Sequence, residues 1–567
     1  MHIEWVPNRG SRPTVLLRET WREGKEVRKR TLANLTHWPG EKIDALRRLL
    51  RGELLVSPEK AFQVERSLPH GHVEAILGTI HTIGLDALLA SKRSRERDLV
   101  IAMIAERLIH PASKLATTRL WHTTTLAEEL FVTDADEEEL YDALDWLLAR
   151  QVKIEKKLAA KHLTEGSCVL YDVTSSYYEG RTCPLALFGH DRDGKKGKPI
   201  IVYGVLTNKD GCPVAVRVYP GNTGDPTTIP DQVATLKDEF GLARIVLVGD
   251  RGMLTKTQID TLKDHPGLGW ISALRSRAIR NLVEGGSIQM SLFDTTDLAE
   301  CASPDYPSER LIACFNPLLA EERKRKREEL LAATERELIR IGREVARRTR
   351  TPLDKAEIGT KVGGVLRRFK MGKHFALTIH EGSFSFARKE ASIRREEALD
   401  GLYVIRTSEP ADRLSADDAV RGYKSLAQVE QAFRSLKGLD LLVRPIWLRT
   451  EDHVRAHIFL CLLAYYLVWH MRKALAPLLF DDEELTKARK TRHPVRPATP
   501  SRSAREKKTT LLTSEGLPVQ SFSTLIAHLG TRCRHHCRMG NDPHGPLFSQ
   551  LTAPTPLQAK AFKLLGL

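Results

Sequence analysis

The sequence predicts an α/β protein. Short runs rich in β-branched and aromatic residues, bounded by turn residues, are typical of buried strands. Asp225 and Pro226 suit an N-cap and a first-turn proline, which predicts a helix running toward Phe240 between the third and fourth strands. The five predicted strands occupy residues 168–174, 199–206, 213–220, 244–249 and 268–274.

The segments before these strands differ from them in pattern. Residues 1–81 alternate short apolar pieces with charged and turn residues, which predicts an N-terminal arm bearing a β-hairpin. Residues 82–163 are helical in pattern and carry scattered cations, Arg93, Arg95, Arg97, Lys114 and Arg119. Either a DNA-docking helical bundle or a plain helical domain with solvated charges fits them. Residues 164–275, which hold the five predicted strands, form the first part of a predicted α/β core.

Three acids stand out by their positions. Asp172 lies inside the apolar first strand, and Asp250 directly follows the fourth. Glu430 lies seven residues after Tyr423 and seven before Lys437, so a helix would place all three on one side. Any one of these acids alone fits a solvated or structural role. Asp172, however, needs a partner or a metal to offset its desolvation, and the three together are the components of a two-metal phosphoryl-transfer site.

The second and third acids are 180 positions apart (430 − 250), which is too long for a loop and predicts an inserted domain over 276–420. Its first part reads as a long charged helix reaching about residue 348, whose charges fit either a solvated face or a DNA contact. Residues 421–480 would return to the core with the Glu430 helix. Residues 481–567 read as a basic linker and tail, disordered over 487–508.

Composition favours a cytoplasmic protein that binds a polyanion. Lys and Arg total 88 against 72 Asp and Glu, giving a net charge of +16. The eight cysteines lack paired spacings, which predicts reduced thiols, and no signal-like segment opens the sequence. The apolar run 458–469 is too short to span a membrane and predicts a buried core helix, so no membrane partner is expected.

Several motifs together resemble a known family. They are Tyr171-Asp-Val-Thr-Ser, Gly221-Asn-Thr-Gly-Asp, Gly249-Asp-Arg-Gly-Met, the helix from Tyr423 to Lys437, and Arg444-Pro-Ile-Trp. The chain resembles bacterial insertion-sequence DDE transposases, in the branch marked by a Tyr, Arg, Glu, Lys signature. The order of strands resembles the ribonuclease-H-like fold. One position departs, because Leu426 stands where the branch has its arginine.

The resemblance implies site roles. Asp172 would bridge two divalent ions, while Asp250 and Glu430 would each bind one of them. Hard oxygen ligands favour Mg²⁺, with Mn²⁺ as an alternative. Tyr423 and Lys437 would contact transposon-end phosphates, although surface ion pairing and core packing also fit these two residues.

Four further residues are candidate DNA contacts. Arg434 lies one turn beyond Glu430, where it could replace the cation missing at Leu426. Arg251 either contacts a phosphate or shapes the turn after Asp250. Lys195 and Lys196 lie in a glycine-rich basic loop that could grip DNA or simply be solvated.

The predicted function is a transposase that binds the inverted-repeat ends of its element, cleaves there and joins the 3′-hydroxyl to target DNA. Synapsis of two ends implies a homodimer on double-stranded DNA. A nuclease of the same fold without joining activity and a catalytically inactive DNA-binding regulator remain alternatives.

Two smaller motifs each allow more than one interpretation. Cys533 and Cys537 flank two histidines but lack the second ligand pair of a zinc site, and Trp270 suits either base stacking or the core.

Overall fold

The computed structural model describes residues 1–53, 61–294, 296–438, 440–540 and 543–567. The chain divides into two compact units. The first unit comprises Met1–Pro69 and Arg532–Ala553, and the second comprises His70–Thr531 and Pro554–Leu567.

The strands are numbered here in chain order. They are β1 (His2–Val6), β2 (Thr14–Glu23), β3 (Glu26–Asn34), β4 (Phe62–Pro69), β5 (Cys168–Tyr177), β6 (Ile200–Asn208), β7 (Pro213–Pro220), β8 (Ile245–Gly249), β9 (Leu268–Ala273), β10 (Leu298–Cys301), β11 (Arg310–Phe315), β12 (Phe375–His380), β13 (Ser383–Arg388), β14 (Leu402–Thr407), β15 (Cys533–Met539) and β16 (Leu547–Leu551).

The α-helices are cited by their bounds. They are Gly40–Leu50, Gly71–Ile83, Leu85–Leu89, Arg95–Ile109, Lys114–Leu120, Leu126–Leu130, Glu137–Leu148, Gln151–His162, Ile229–Ala234, Lys256–Lys263, Ser276–Glu284, Pro317–Arg347, Lys355–Phe369, Glu390–Glu397, Ala416–Lys424, Ala427–Lys437, Glu451–Leu475, Leu485–Thr491, Arg502–Thr510, Phe522–Gly530 and Pro556–Leu565.

The first unit holds two small antiparallel sheets. β1, β2 and β3 form the predicted hairpin with one additional strand, over a small core of Val15, Leu35 and Ile43. β15 lies between β16 and β4 in the second sheet. Cys533 and Cys537 are therefore four positions apart along a strand, roughly 13 Å, which is too far for both to bind one zinc ion.

The second unit is built on one eight-stranded sheet, in the order β10-β11-β14-β9-β8-β5-β6-β7. β5 pairs antiparallel with β6 and parallel with β8, while β9 continues parallel to β8. Counted along the chain, the five core strands therefore lie in the order 3-2-1-4-5, and only the second runs against the others. This is the ribonuclease-H-like arrangement that the strand order predicted.

Helix Glu451–Leu475 forms the centre of the core. By length and composition it could cross a membrane, yet 83% of its most apolar window is buried inside the protein. Leu460, Leu463 and Leu467 have no solvent exposure, and the helix packs on β7 and on helix Arg95–Ile109. The prediction of a buried core helix is confirmed.

Two cations of the helical segment before the core form ion pairs within the protein, and a third is buried. Arg93 Nε lies 2.6 Å from Asp98, and Arg95 Nε lies 3.1 Å from Glu139. Lys114 is only 5% exposed. The DNA-docking bundle and the plain helical domain both stay predictions for this segment.

The residues between β9 and the Glu430 helix form two structures: three added strands of the core sheet and a separate helical lobe. β10, β11 and β14 extend the core sheet, with β14 pairing antiparallel to β9. The long helix Pro317–Arg347, capped by the Asn316 side chain, instead belongs to a lobe with a separate small core that includes Leu338, Ile358 and Phe375.

The expected disorder of the basic segment 487–508 is wrong where the structure describes it. Helices Leu485–Thr491 and Arg502–Thr510 form there. Lys507 is 3% exposed, and its ammonium donates hydrogen bonds to the carbonyls of Ala476 at 2.9 Å and Asp481 at 2.8 Å. Composition does not show that these two carbonyls are available, and their hydrogen bonds allow the lysine to be buried.

Candidate active site

The sheet brings Asp172 and Asp250 to the same edge. In the parallel pairing of β5 with β8, Tyr171 lies opposite Gly249, so the residues that follow each of them are neighbours. Asp172 continues β5, whereas Asp250 begins the turn after β8. The carboxyl ends of parallel strands are the usual position for site residues in open α/β sheets.

Asp172 carries a strongly perturbed carboxyl group. Burial raises its pKa to about 7, against the opposing effect of a 2.8 Å hydrogen bond from the Val173 amide. The charges of Asp250 and Asp225 also raise this pKa, while Arg192 lowers it. Ionising Asp172 is therefore costly in the protein alone, and a nearby divalent cation would offset that cost.

Tyr423 holds Asp250 in place. Its hydroxyl donates to Oδ1 of Asp250 at 3.1 Å, and the Gly252 amide donates to Oδ2 at 3.3 Å. Burial, followed by the Asp250 charge, raises the pKa of Tyr423, so the phenol stays a donor at neutral pH. The proposed phosphate contact of Tyr423 stays a prediction, since the hydroxyl faces a carboxylate here.

Glu430 faces solvent. Its helix, Ala427–Lys437, buries Val429 and Phe433 against the core, with the Phe433 ring edge-on to Tyr203 at 6.1 Å. The Glu430 side chain is 64% exposed and lies 3.9 Å from Arg434, whose side chain is 76% exposed. In the part of the chain described, the three acids do not form a closed cluster at metal-binding distances. The strands and the helix that carry the acids form as predicted, but the distances between the three carboxylates could not be predicted from the sequence.

Lys437 lies inside the protein. Its side chain is 11% exposed, and its ammonium lies 3.0 Å from Asp193 and donates to the Ser175 carbonyl on β5. Asp193 is 2% exposed, also pairs with Arg444, and accepts a 3.1 Å hydrogen bond from the Tyr177 amide. The phosphate-contact role of Lys437 thus stays a prediction, and what the structure shows is a buried ion pair that fastens the Glu430 helix to β5.

Sequence reasoning missed Asp193 and the pair formed by Arg192 and Asp225. Arg192 lies 2.5 Å from Asp225, and both influence the Asp172 pKa. Asp225 was assigned only as a helix N-cap. A signal was available, because Asp225 ends one of the motifs that carried the family resemblance.

The other candidate DNA contacts are exposed. Lys195 and Lys196 project from the loop before β6, with the Lys195 ammonium 5.7 Å from the centre of the Tyr177 ring. Arg251 is exposed and, with Tyr423, lines a cavity of about 620 Å³. The cavity wall is rich in cations, namely Arg280, Arg323, Lys326, Arg327 and Lys373, with Glu396 and Asp400 as its acids.

Trp270 is a core residue. It is 1% exposed on β9, and the guanidinium of Arg406 lies 5.2 Å from its ring centre. The base-stacking alternative does not fit a ring without accessible surface.

Comparison with known families settles the class of protein. Residues 165–467, more than half of the chain, match the family model for the transposase DDE domain. The chain belongs to the DDE transposases of insertion sequences. Residues 6–61 of this transposase also match the N-terminal domain of IS1634 family transposases. The narrower branch with the Tyr, Arg, Glu, Lys signature stays a prediction.

Similarity to individual proteins is weaker than the family match. No curated protein matches the chain. Among solved structures, the transposase is similar to a piggyBac transposase synaptic complex with hairpin DNA, at 11% identity and a TM-score of 0.33. That match covers 81% of this chain and 76% of the other.

DDE transposases are metal-dependent enzymes, and the donor set here fits a hard divalent ion. Asp172, Asp250 and Glu430 offer only carboxylate oxygens, which Mg²⁺ and Mn²⁺ prefer. The raised pKa of Asp172 supports the fit, because a carboxylate that is costly to ionise alone gains most from a bound cation.

Proposed function

We propose that this transposase binds the inverted-repeat ends of its element, cleaves the DNA there and joins the freed 3′-hydroxyl to target DNA. Asp172, Asp250 and Glu430 are the ligands of two Mg²⁺ or Mn²⁺ ions in this proposal. The observation that carries it is the position of Asp172, whose pKa is raised by burial, next to Asp250 where the parallel pairing of β5 with β8 ends.

The residues divide the work of the site. Bound divalent ions would activate the attacking hydroxyl and stabilise the leaving oxygen of the scissile phosphate. Tyr423 orients Asp250 through its hydrogen bond. The buried pair of Lys437 and Asp193 fixes the helix of Glu430 on β5. The exposed Glu430 carboxylate is the third ligand in this proposal.

Charge supports binding of DNA along the backbone. The chain carries a net charge of +16, and neutralising phosphates with exposed cations gives strong, salt-dependent affinity. Arg251, Arg434, Lys195 and Lys196 are exposed and are the proposed phosphate contacts. The basic cavity beside Arg251 extends this surface toward the inserted residues.

The proposal includes the organisation of the chain. Residues 164–275 and 421–480 supply the two parts of the catalytic core, and 276–420 form the insertion between them. Two ends must be held together during transposition, so we include a homodimer on DNA. The expected location is the cytoplasm, at the nucleoid.

The test uses Asp172→Asn, Asp250→Asn and Glu430→Gln with a duplex that carries the element's end. Each variant should lose cleavage by at least 10³-fold, roughly the scale of losing a key electrostatic group, while end binding stays within about twofold. Asp260→Asn, an exposed acid on helix Lys256–Lys263, is the matched control and should cleave normally. Normal cleavage by any one of the first three in Mg²⁺ would remove that residue from the ligand set.

A second assay separates this function from the alternatives. Pre-cleaved ends with a free 3′-hydroxyl are incubated with a target plasmid, and joined products are counted. Cleavage without joining would favour a nuclease of the same fold. Binding without either reaction would favour a DNA-binding regulator.

A further inference from the structure

Three distant parts of the chain bring together two imidazoles and a thiol. His162 ends helix Gln151–His162, Cys212 lies in the turn between β6 and β7, and His470 lies on helix Glu451–Leu475. The ligand atoms of these three side chains all lie within 4.8 Å of one another. None of the three belongs to the proposed catalytic triad.

The two histidines of the cluster are half-buried, and its polar atoms are only partly hydrogen-bonded. Cys212 has no solvent exposure. His470 Nε2 is buried and, within the described residues, has no hydrogen-bond partner. His162 Nε2 lies 3.0 Å from the Tyr466 hydroxyl. An imidazole nitrogen buried without a partner is costly, and a bound cation would satisfy it.

The side chains are in the right form to bind a metal. Burial lowers the pKa of both His162 and His470 to about 4, so both rings are neutral at physiological pH. Burial raises the pKa of Cys212, while the charges of Lys161 and Lys473 act in the opposite direction. A metal would displace the thiol proton to solvent, and the resulting thiolate would offset part of the repulsion from those lysines.

We propose that His162, Cys212 and His470 form a site for a borderline-soft divalent ion of the Zn²⁺ class. Thiolate and imidazole ligands select such ions over Mg²⁺, which prefers oxygen. Three protein ligands leave one tetrahedral position for water or a fourth group. Ligand bonds of about 2.0 to 2.3 Å require the three atoms to draw together by roughly 1 Å.

A metal bound here would connect elements close to the helix that carries Glu430. It would tie the end of helix Gln151–His162 and the β6–β7 turn to helix Glu451–Leu475. The turn is tight, with Asn208 Oδ1 accepting from the Cys212 amide at 3.0 Å. A Cβ at Gly211 would lie 2.9 Å from Cβ of Gln428, on the helix that carries Glu430. This inference does not depend on the roles proposed for the three acids.

Cobalt titration tests the site. Full-length protein is freed of metal by chelation, dialysed and titrated with Co²⁺, which adopts zinc-like geometry and shows a thiolate-to-cobalt charge-transfer band. We expect the band to saturate at one equivalent and to disappear on addition of Zn²⁺. The melting temperature should rise by several degrees on loading. A folded wild-type protein without the band would overturn the proposal.

Variants assign the ligands. Cys212→Ser should abolish the charge-transfer band, and His470→Asn should weaken Co²⁺ binding at least tenfold. Cys314→Ser, a buried cysteine on β11, and a Cys533→Ser/Cys537→Ser pair in the other unit should keep the band unchanged. Asp172→Asn should also keep it, which separates this site from the acids. A band that survives Cys212→Ser would place the bound thiolate elsewhere and contradict the assignment.

Discussion

The Tyr423 hydroxyl donates a hydrogen bond to Oδ1 of Asp250 at 3.1 Å, linking residues 173 positions apart. Because the phenol would orient Asp250, a proposed metal ligand, Tyr423→Phe should raise the Mg²⁺ concentration needed for half-maximal cleavage by about 10- to 100-fold. Folding should change little. Tyr141→Phe, which removes a 3.3 Å hydrogen bond to Glu137, is the control and should leave the Mg²⁺ requirement unchanged. If Tyr423→Phe needs the same Mg²⁺ concentration as the parent protein, Tyr423 contributes only to packing.

The pKa of Asp172 predicts a pH-dependent metal requirement. This pKa is raised to about 7, so below pH 7 a metal must displace a proton from the carboxyl group. The Mg²⁺ concentration for half-maximal cleavage should therefore rise about tenfold per pH unit below pH 7 and level off above it. Saturating Mg²⁺ should restore activity at pH 6. A requirement that stays flat from pH 8 to 5.5 would contradict the assignment of Asp172.

Salt dependence separates exposed from buried lysines. Lys195→Ala/Lys196→Ala should lower the slope of log affinity against log salt by about two units, one for each phosphate that the variant no longer neutralises. Lys437→Met should lower the free energy of unfolding by about 2 kcal/mol, because it leaves Asp193 buried with Arg444 as its remaining ion-pair partner. An unchanged salt slope in this variant would leave Lys437 with the buried ion pair alone. A lower slope in Lys437→Met would instead support its role as a phosphate contact.

Arg434 is expected to replace the arginine missing at Leu426. Its ion pair with Glu430 is exposed and 3.9 Å long, and such pairs contribute roughly 0 to 1 kcal/mol. Arg434→Ala should therefore reduce strand joining about tenfold, because it removes one charge-assisted hydrogen bond to a phosphate, without a change in thermal stability. Arg434→Lys should retain part of the joining activity. If Arg434→Ala joins DNA as well as the parent protein does, the hypothesis that Arg434 replaces the missing arginine is wrong.

A buried lysine should make stability pH-dependent. Burial, followed by the charge of Arg107, lowers the pKa of Lys114 to about 7. The unfolded chain thus binds the proton between about pH 7 and 10.5 when the folded chain does not, and stability rises with pH across that window. Lys114→Met should stabilise the protein by about 2 kcal/mol at pH 6.5, with a smaller gain at pH 9.5. Exposed Lys92→Met should show no such trend in thermal melts.

Local patterns were sufficient for the core strands and for two of the acids. The apolar run around Asp172 predicted a strand over 168–174, and β5 runs three residues further, to Tyr177. Asp250 ends a short apolar run, which identifies its position without knowledge of its neighbours. Strand order then follows from the family resemblance, and β5 through β9 form the expected sheet.

Partners distant in sequence could not be predicted in the same way. Asp193 meets Lys437 across 244 positions, and no spacing rule connects them. The exposed orientation of Glu430 depends on side-chain rotation, which helical periodicity does not determine. The sequence around 401–406 is strand-like, but the pairing of β14 with β9 was not predicted, because it depends on β9 offering an open edge.

The pairing of β14 with β9 limits how this transposase can be rebuilt. Deleting all of 276–420 would remove β14 from one side of β9 and expose a hydrogen-bonding edge there, which favours aggregation. The lobe built on helices Pro317–Arg347 and Lys355–Phe369 has its own small core. Changes confined to this lobe leave β14 in place, so the edge of β9 stays covered. A fusion partner should therefore be inserted, or the insertion shortened, in the exposed connection over 348–352 between these two helices.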